Sequence, residues 1–177
     1  MLKTLYHTIR KGYNVKASVK NAPYPCVDEP WFGRGYYFWD GSEELAEWWG
    51  ETHYNGDYII TKVDIDFPNG SLLDLIDNMQ HLQFFRAAAE TLTMRLREEA
   101  TVPKTVEEIR KRKDNPFIAV RGMCVPFYTN SYGTNNTYYS HIRIADKVKF
   151  YLDVLPRHQI CIFDKKNIPP LQLVRTS

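Results

Sequence analysis

The sequence predicts an α+β domain built on a mainly antiparallel sheet. Two observations carry this prediction: strand patterns occur at both ends of the chain, and the clearest helical periodicity lies between them. The chain has 177 residues, with 44% hydrophobic and 25% charged residues, which is ordinary for a globular protein. This length fits one domain with one sizeable core, so we expect a single domain over residues 1–177.

A strand and a long loop open the chain. Apolar and β-branched residues predict a strand from Leu2 to Thr8. Residues 14–30 are polar and include three prolines, so we expect a long loop there. A loop of this length beside a functional site is typical of a lid.

An aromatic strand, a helix and a second strand follow. Residues 36–39 predict the short strand, and the helix is expected to start within residues 40–43, where an Asp would cap it and a Glu lies three residues later. This helix carries Trp48 and Trp49. Residues 58–66 alternate in polarity with a period of two, which predicts a half-buried strand.

Helices occupy the middle of the sequence. Apolar residues recur at steps of three and four from Leu82 to Leu96, which predicts an amphipathic helix that Val102 and Pro103 end. A short basic helix is expected next, capped by Thr105 with a Glu three residues on.

Short strands are expected in the last third of the chain. Residues 117–128 are apolar and β-branched, with Gly122 as a possible bulge, and residues 131–137 form a Gly/Asn-rich loop. Further strands are predicted near residue 142 and over residues 148–152, 159–163 and 171–174.

Charge and cysteine content restrict the class of protein. The net charge of +2 does not indicate a polyanionic partner. The basic run at residues 110–113 is typical of a solvated helix end, with contact to nucleic acid as the alternative. Cys26, Cys124 and Cys161 form no C-x-x-C pair, which argues against a disulfide framework or a zinc site, so we expect no metal.

The sequence also predicts a location. The N-terminus lacks the apolar segment of a signal peptide, and no apolar stretch approaches the roughly 20 residues that span a bilayer. We therefore expect a cytoplasmic protein with no membrane partner.

One motif carries the functional signal. His7 ends the first apolar run, and the series Gly33-x-Gly35-x-Tyr37-Phe38 follows about thirty residues later. Aromatic rings beside an imidazole form a flat slot with a polar rim, which suits a heteroaromatic ring such as nicotinamide. The alternatives are a core histidine and an ordinary glycine turn.

This pattern resembles the diphtheria-toxin-like, or PARP-like, class of ADP-ribosyltransferases. Those enzymes carry a histidine on the first strand, a G-x-G-x-Y-F run on the second, and another aromatic residue eleven positions after the tyrosine, which is Trp48 here. Ala46 matches the family's small residue. The resemblance covers about the first fifty residues and returns near the C-terminus. It implies the split, two-sheet, mainly antiparallel ADP-ribosyltransferase fold, with an NAD crevice and inserted helices.

The resemblance also implies roles for individual residues. His7 would bind the adenosine-side ribose of NAD, Tyr37 would stack on the nicotinamide, and Trp48 would close the other face. A core tryptophan is the alternative for Trp48, whereas Trp49 points roughly 100° away on a helix. Gly35 would allow close approach of the backbone to the dinucleotide.

Two further positions depart from the family pattern or extend it. The family often has glycine after its histidine, where backbone groups hold the nicotinamide amide. This chain has Thr8, whose backbone and hydroxyl can serve there. Arg10 is near enough in sequence to help bind the pyrophosphate.

The third family element is a glutamate on a late strand, and Gln159 falls on that position within residues 158–164. A glutamine can orient a ribose by hydrogen bonding but cannot act as a general base. Chain-elongating poly-ADP-ribosylation is therefore not expected. An ordinary strand residue is the alternative for Gln159.

The expected function is mono-ADP-ribosyl transfer from NAD, as co-substrate, to a macromolecule that is protein, RNA or DNA. A bacterial toxin or phage-defence role fits this size, with an antitoxin or immunity protein as a possible partner. An NAD glycohydrolase of the same fold and a catalytically silent module that binds NAD or ADP-ribose are the alternatives.

Overall fold

A computed structural model describes residues 1–26, 28, 30–123, 141–143, 151–153 and 155–177. Within these residues the protein has four α-helices and a seven-stranded mixed sheet, which confirms the predicted α+β class. The strands are β1 (Leu2–Arg10), β2 (Tyr36–Asp40), β3 (Tyr58–Asp66), β4 (Leu72–Asp74), β5 (Ala119–Met123), β6 (His141–Arg143), β7 (Tyr151–Asp153), β8 (His158–Ile162) and β9 (Gln172–Thr176). The helices are α1 (Val15–Asn21), α2 (Glu43–Tyr54), α3 (Met79–Leu96) and α4 (Val102–Arg110).

The large sheet has the strand order β4-β5-β8-β2-β1-β3-β9. Its neighbouring strands are antiparallel except β4 and β5, which run parallel. The mainly antiparallel character predicted from the sequence is thus present. Strands β6 and β7 form a separate antiparallel pair.

The sheet is weakly joined at the boundary between β1 and β2, which we call the seam. Strand β1 pairs with β3 from Leu2 to Arg10, but its pairing with β2 is confined to Leu5 with Asp40 and Tyr6 with Trp39. The seven strands of the large sheet therefore form one sheet that opens along the seam. The two strands diverge beyond the second of these pairs.

Apolar side chains fill both faces of the sheet. One face holds a cluster around Leu5, Phe38 and Ile160, all at most 1% exposed. Helices α3 and α4 cover the β5–β8 half of the opposite face, and α2 covers its β1–β3 half through Ala46, which is fully buried. The seam lies between these two covered halves.

Some helix boundaries differ from those predicted. The expected loop at residues 14–30 contains α1, whose N-terminus is capped by the Asn14 side chain accepting from the Ala17 N–H at 3.1 Å. Helix α2 is capped by Ser42, because Asp40 stays in β2 and binds Arg121 at 2.6 Å.

The second half of the chain shows two further differences. Val102 and Pro103 lie in the first turn of α4, where proline is tolerated. Thr105 does not cap this helix but lies inside it, and its hydroxyl donates a hydrogen bond to the Thr101 carbonyl. Gly122 pairs with Gln159 in a regular ladder, and a Cβ on it would come within 2.6 Å of the Phe32 ring.

The strand predicted to reach residue 128 is described only to Met123, and the 131–137 loop lies outside the described residues. No helix of the described segments is long and apolar enough to cross a membrane.

Candidate functional site

A cleft of about 830 Å³ opens at the seam. Its walls come from β1, α1, β2, α2, β8 and the described residues between Tyr24 and Trp31. The lining includes His7, Thr8, Arg10, Tyr24, Cys26, Asp28, Trp31, Tyr37, Phe38, Trp39, Trp49, His53, Tyr54 and Gln159. This volume lies in the usual range for small-molecule sites, roughly 300–1,000 Å³.

The separation of β1 from β2 explains how these residues meet. Because Leu5 lies opposite Asp40, alternation places His7 and Phe38 on one face of the sheet and Tyr37 on the other. Gln159 shares the face of Tyr37, because it lies opposite Trp39 on β8. Residues from both faces can line one cleft only where the strands part.

His7 is held at the point where the strands separate. Its Nδ1 lies 2.8 Å from the Tyr37 carbonyl oxygen, and its Nε2 accepts a long hydrogen bond, 3.4 Å, from the Tyr24 N–H. Nδ1 must therefore donate, which leaves Nε2 as the acceptor. Burial lowers the pKa of His7 to about 4, so the imidazole is neutral at physiological pH.

The backbone of Thr8 faces the cleft. The Thr4 carbonyl accepts a hydrogen bond from the Gly41 N–H on the β2 side. The Lys11 N–H donates to the Asp57 backbone carbonyl on the β3 side. In an antiparallel strand the direction of backbone groups alternates, so Thr8 directs its N–H and C=O to the β2 side, like Thr4. Its ladder with β2 has already ended there.

The side chains of Thr8 and Arg10 have different roles. The Thr8 hydroxyl donates to the Ala46 carbonyl at 2.7 Å, so it fixes α2 against β1 and is not directed to a ligand. Arg10 is exposed on the cleft wall, with its guanidinium carbon 5.8 Å from the centre of the Tyr54 ring. Its charge remains available to an anion.

Tyr37 lines the cleft with its ring, and its hydroxyl holds the segment before β2. The hydroxyl accepts from the Phe32 N–H at 2.8 Å and donates to the Gly33 carbonyl at 2.7 Å. Burial raises the pKa of Tyr37 far above its usual range. Tyr37 is therefore a neutral anchor with one ring on the cleft wall.

The glycines of the motif shape that same segment. Gly33 has a φ of +83°, which glycine adopts without strain. A Cβ on Gly35 would lie 2.5 Å from Cys161 Sγ, so glycine lets this segment approach β8. Gly35 does not line the cleft, so a dinucleotide bound there would not contact this residue as the resemblance implied.

Gln159 is the least satisfied polar side chain of the site. It is 6% exposed and lines the cleft, and its Oε1 has no hydrogen-bond partner among the described residues. A buried acceptor without a partner costs roughly 1–3 kcal/mol. Such an oxygen is suited to a donor supplied by a ligand.

Trp49 lies on the cleft wall, and Trp48, the residue predicted there, does not. The buried residues Leu45, Ala46 and Gly50 set the face that α2 turns to the sheet. Trp49 follows Ala46 by three positions and shares that face, whereas Trp48 is rotated by roughly 200° from Ala46 and lies at the edge of the face, beside Leu45. Trp48 instead packs beneath a guanidinium, with the Arg157 Cζ 4.3 Å from its ring centre.

Several aromatic residues of the cleft were not predicted. Trp49 and His53 stack face to face, with ring centres 3.5 Å apart and an angle of 12° between their planes. Their spacing of four positions on one helix is a signal that the sequence contains. Tyr24 and Trp31 reach the cleft from a segment whose path no periodic pattern indicates.

The described residues contain no cluster of three or more His, Cys, Asp or Glu side chains placed to hold a metal ion. Comparison of the chain with protein-family models, with curated proteins and with solved structures found no match.

Proposed function

We propose that the protein is a mono-ADP-ribosyltransferase that cleaves NAD at the nicotinamide–ribose bond and transfers ADP-ribose to a macromolecule. We also propose that the sheet, open at the seam, is a form of the ADP-ribosyltransferase fold. The observation that carries the proposal is the cleft itself, because His7, Tyr37 and Gln159 line it together although they come from three different strands.

The nicotinamide end of NAD fits the chemistry of the β1 wall. A carboxamide has one donor group and one acceptor, and Thr8 directs one backbone acceptor and one backbone donor to the cleft. The rings of Tyr37 and Trp49 line the same space and supply apolar faces for a heteroaromatic ring. In this proposal Trp49 takes the role that the resemblance implied for Trp48.

The ribose and phosphate groups fit the remaining polar atoms. A ribose hydroxyl would donate to His7 Nε2, in place of the long bond from Tyr24. A second hydroxyl would donate to the Oε1 of Gln159, which accepts no hydrogen bond from any residue that the structure describes. Arg10 is the exposed cation beside these positions and would bind the pyrophosphate.

The chemical step needs little acid or base assistance. The C1′–N bond breaks with its electron pair passing to the nicotinamide nitrogen, so the leaving group becomes neutral. The ribose develops oxocarbenium character, and a lone pair of the acceptor forms the new bond at C1′. The acceptor then loses its proton to solvent, because the amide of Gln159 cannot act as a base.

The neutral Gln159 favours a second candidate, a module that binds NAD without turnover. An amide offers an oxocarbenium only partial charge, so binding by itself would use every contact described above. Both candidates predict NAD binding, and they differ in whether nicotinamide is released.

Purified full-length protein incubated with NAD labelled in the adenylate phosphate tests the proposal. We expect nicotinamide release together with label on a macromolecule from a cell extract. Free labelled ADP-ribose as the only product would indicate a glycohydrolase. NAD binding without nicotinamide release would indicate the silent module, and the absence of NAD binding would reject the proposed function.

A further inference from the structure

A second cavity adjoins the cleft. A groove of about 410 Å³ lies between the segment 30–34 and helices α3 and α4. Pro30 lines both the groove and the cleft, so the two cavities lie on either side of the segment that contains it. A polymer bound in the groove would therefore lie close to the cleft.

The groove is lined mainly by apolar surface, and charged side chains lie among its walls. Its charged lining residues are Arg34, Arg95, Lys104, Lys111, Glu107 and Glu108. The two carboxylates are already bound by arginines, at 2.7 and 2.8 Å. Arg34 and Lys111 form no ion pair within the described part of the chain, so their charges are available to a ligand.

This charge extends beyond the end of α4. Arg112 and Lys113 follow Lys111, and Arg112 lies over the Phe84 ring, with its Cζ 5.2 Å from the ring centre. Cations at a helix C-terminus are favoured by the helix dipole, which accounts for part of this run. It does not account for Arg34, which lies on the opposite wall of the groove and belongs to no helix.

Two exposed aromatic residues line the cleft, and we call the part of the wall that they form the mouth. Tyr24 is 46% exposed and Trp31 is 40% exposed, and Trp31 directly follows Pro30. The stacked pair Trp49 and His53 lines the same cleft from α2. Exposed rings next to unpaired cations are the features that bind unpaired bases and their phosphates.

We propose that the groove and the mouth bind single-stranded nucleic acid, RNA or DNA. The phosphates lie along Arg34 and Lys111, and an unpaired base stacks on Tyr24 or Trp31. The further statement that this strand is the acceptor of ADP-ribose rests on the proposed function. A nitrogen or oxygen lone pair of the strand then forms the bond to C1′ as nicotinamide leaves, and its proton passes to solvent.

The combination of charge and aromatic rings favours a single strand over other polyanions. In a duplex the bases are paired and stacked on one another, so the rings at the mouth would gain no contact. An acidic peptide would satisfy Arg34 and Lys111 but would leave Tyr24 and Trp31 exposed.

Binding of fluorescent oligonucleotides to the full-length protein, measured by anisotropy at several salt concentrations, tests the groove without NAD. The probes are single-stranded RNA, single-stranded DNA and the duplex of the same sequence. We expect both single strands to bind more tightly than the duplex. Arg34→Ala with Lys111→Ala should weaken binding about ten-fold and lower the salt slope by about 1.4, because each phosphate contact on a single strand contributes about 0.7.

The matched control removes the same charge elsewhere. Lys16→Ala with Lys20→Ala changes two exposed lysines of α1, which lie two positions to either side of Ser18 and so point away from the cleft that Ser18 lines. This control should bind oligonucleotides as the unaltered protein does. Trp31→Ala should weaken single-strand binding about ten-fold, since one stacked base is lost. Melting temperatures of all variants identify any that fail to fold.

The outcomes separate the two proposals. Absence of single-strand binding, tighter binding of the duplex, or equal weakening by the groove variant and its control would overturn the groove assignment. NAD cleavage with label only on protein would overturn nucleic acid as the acceptor and leave the proposed function standing. Single-strand binding without any NAD cleavage would support the groove assignment and reject the proposed function.

Discussion

At the scale of single residues, Gln159 shows how a site can be marked by an unfavourable contact. Its Oε1 is buried and has no partner in the part of the chain that the structure describes, so the free protein carries a desolvation cost there that a bound ligand would remove. At this position the oxygen lowers the stability of the free protein but would contribute a hydrogen bond to ligand binding.

Replacing Gln159 by methionine should raise the stability of the free protein and lower its turnover of NAD. Gln159→Met keeps an unbranched side chain of similar size and removes the unpartnered oxygen, so we expect the free energy of unfolding to rise by about 1 kcal/mol. NAD turnover should fall roughly ten-fold, because a ribose hydroxyl loses its acceptor. Thermal melts and labelled-NAD assays measure the two effects.

The control for this change is Gln172→Met, on an exposed position of β9, which should alter neither quantity. Unchanged turnover in a folded Gln159→Met protein would show that this oxygen has no role in the reaction.

Tryptophan fluorescence distinguishes the two neighbouring rings of α2. NAD should quench the emission, and Trp49→Phe should lose most of this quench because Trp49 lines the cleft. Trp48→Phe is the matched control and should retain it, since that ring packs under Arg157. Loss of the quench in Trp48→Phe alone would place the nicotinamide outside the described cleft.

The sequence was informative about some of these residues and not about others. The resemblance to ADP-ribosyltransferases, carried by the motif at residues 33–38 and its spacing from His7, implied roles for His7, Tyr37 and Gln159. The choice between Trp48 and Trp49 depends on which face of α2 the sheet accepts. That face is set by Gly50, where a Cβ would lie 2.4 Å from the Tyr58 ring, and no local pattern reveals this contact.

At the scale of elements, the Tyr37 side chain holds the segment before β2 at two points. Its hydroxyl accepts from the Phe32 N–H and donates to the Gly33 carbonyl, so one oxygen helps to fix the wall between the cleft and the groove. Loosening this segment should disturb both cavities.

Tyr37→Phe should leave the ring in the cleft but release that segment. Loss of two hydrogen bonds should lower the free energy of unfolding by roughly 1–3 kcal/mol. We expect faster hydrogen exchange at the Phe32 amide, with NAD affinity reduced less than in Tyr37→Ala. Tyr36→Phe is the control on the same strand, because the Tyr36 hydroxyl has no hydrogen bond among the described residues. Unchanged exchange in Tyr37→Phe would contradict the anchoring role.

Element types were easier to predict from the sequence than their ends. The alternating pattern gave β3 with the bounds seen in the structure, Tyr58–Asp66. The predicted capping residue of α2 was wrong, because Ser42 caps the helix and Asp40 stays in β2. Asp40 is held there by Arg121 at 2.6 Å and Lys3 at 3.0 Å, and both partners are distant in sequence. Helix α1 has only 7 residues, too few to show a helical period.

At the scale of the whole molecule, the buried His7 links the cleft to stability. Its pKa is lowered to about 4, against an ordinary value of 6.5, because burial disfavours the charged imidazole. Between these two pH values the unfolded chain binds a proton that the folded protein does not. The contribution of neutral His7 to the free energy of unfolding is therefore complete above pH 6.5, and it is lost as the pH falls towards 4.

Denaturant unfolding at a series of pH values checks this expectation. The free energy of unfolding should fall by about 3 kcal/mol more between pH 7 and pH 4 in the unaltered protein than in His7→Gln, which cannot titrate. Other carboxyl and imidazole groups titrate in both proteins, so the difference between the two curves isolates His7. Parallel curves would show that His7 is not buried in its neutral form.

The two residue pairs at the seam also have a mechanical consequence. Bending the sheet along this line strains few interstrand hydrogen bonds, whereas β1 and β3 are joined along the full length of β1. We therefore expect the backbone ladder to resist bending least along the seam, a motion that would widen and narrow the cleft. A ligand bonded to Thr8 on one side and to Gln159 on the other would join the two halves of the sheet across the seam. Filling the site would then make the molecule as a whole more rigid.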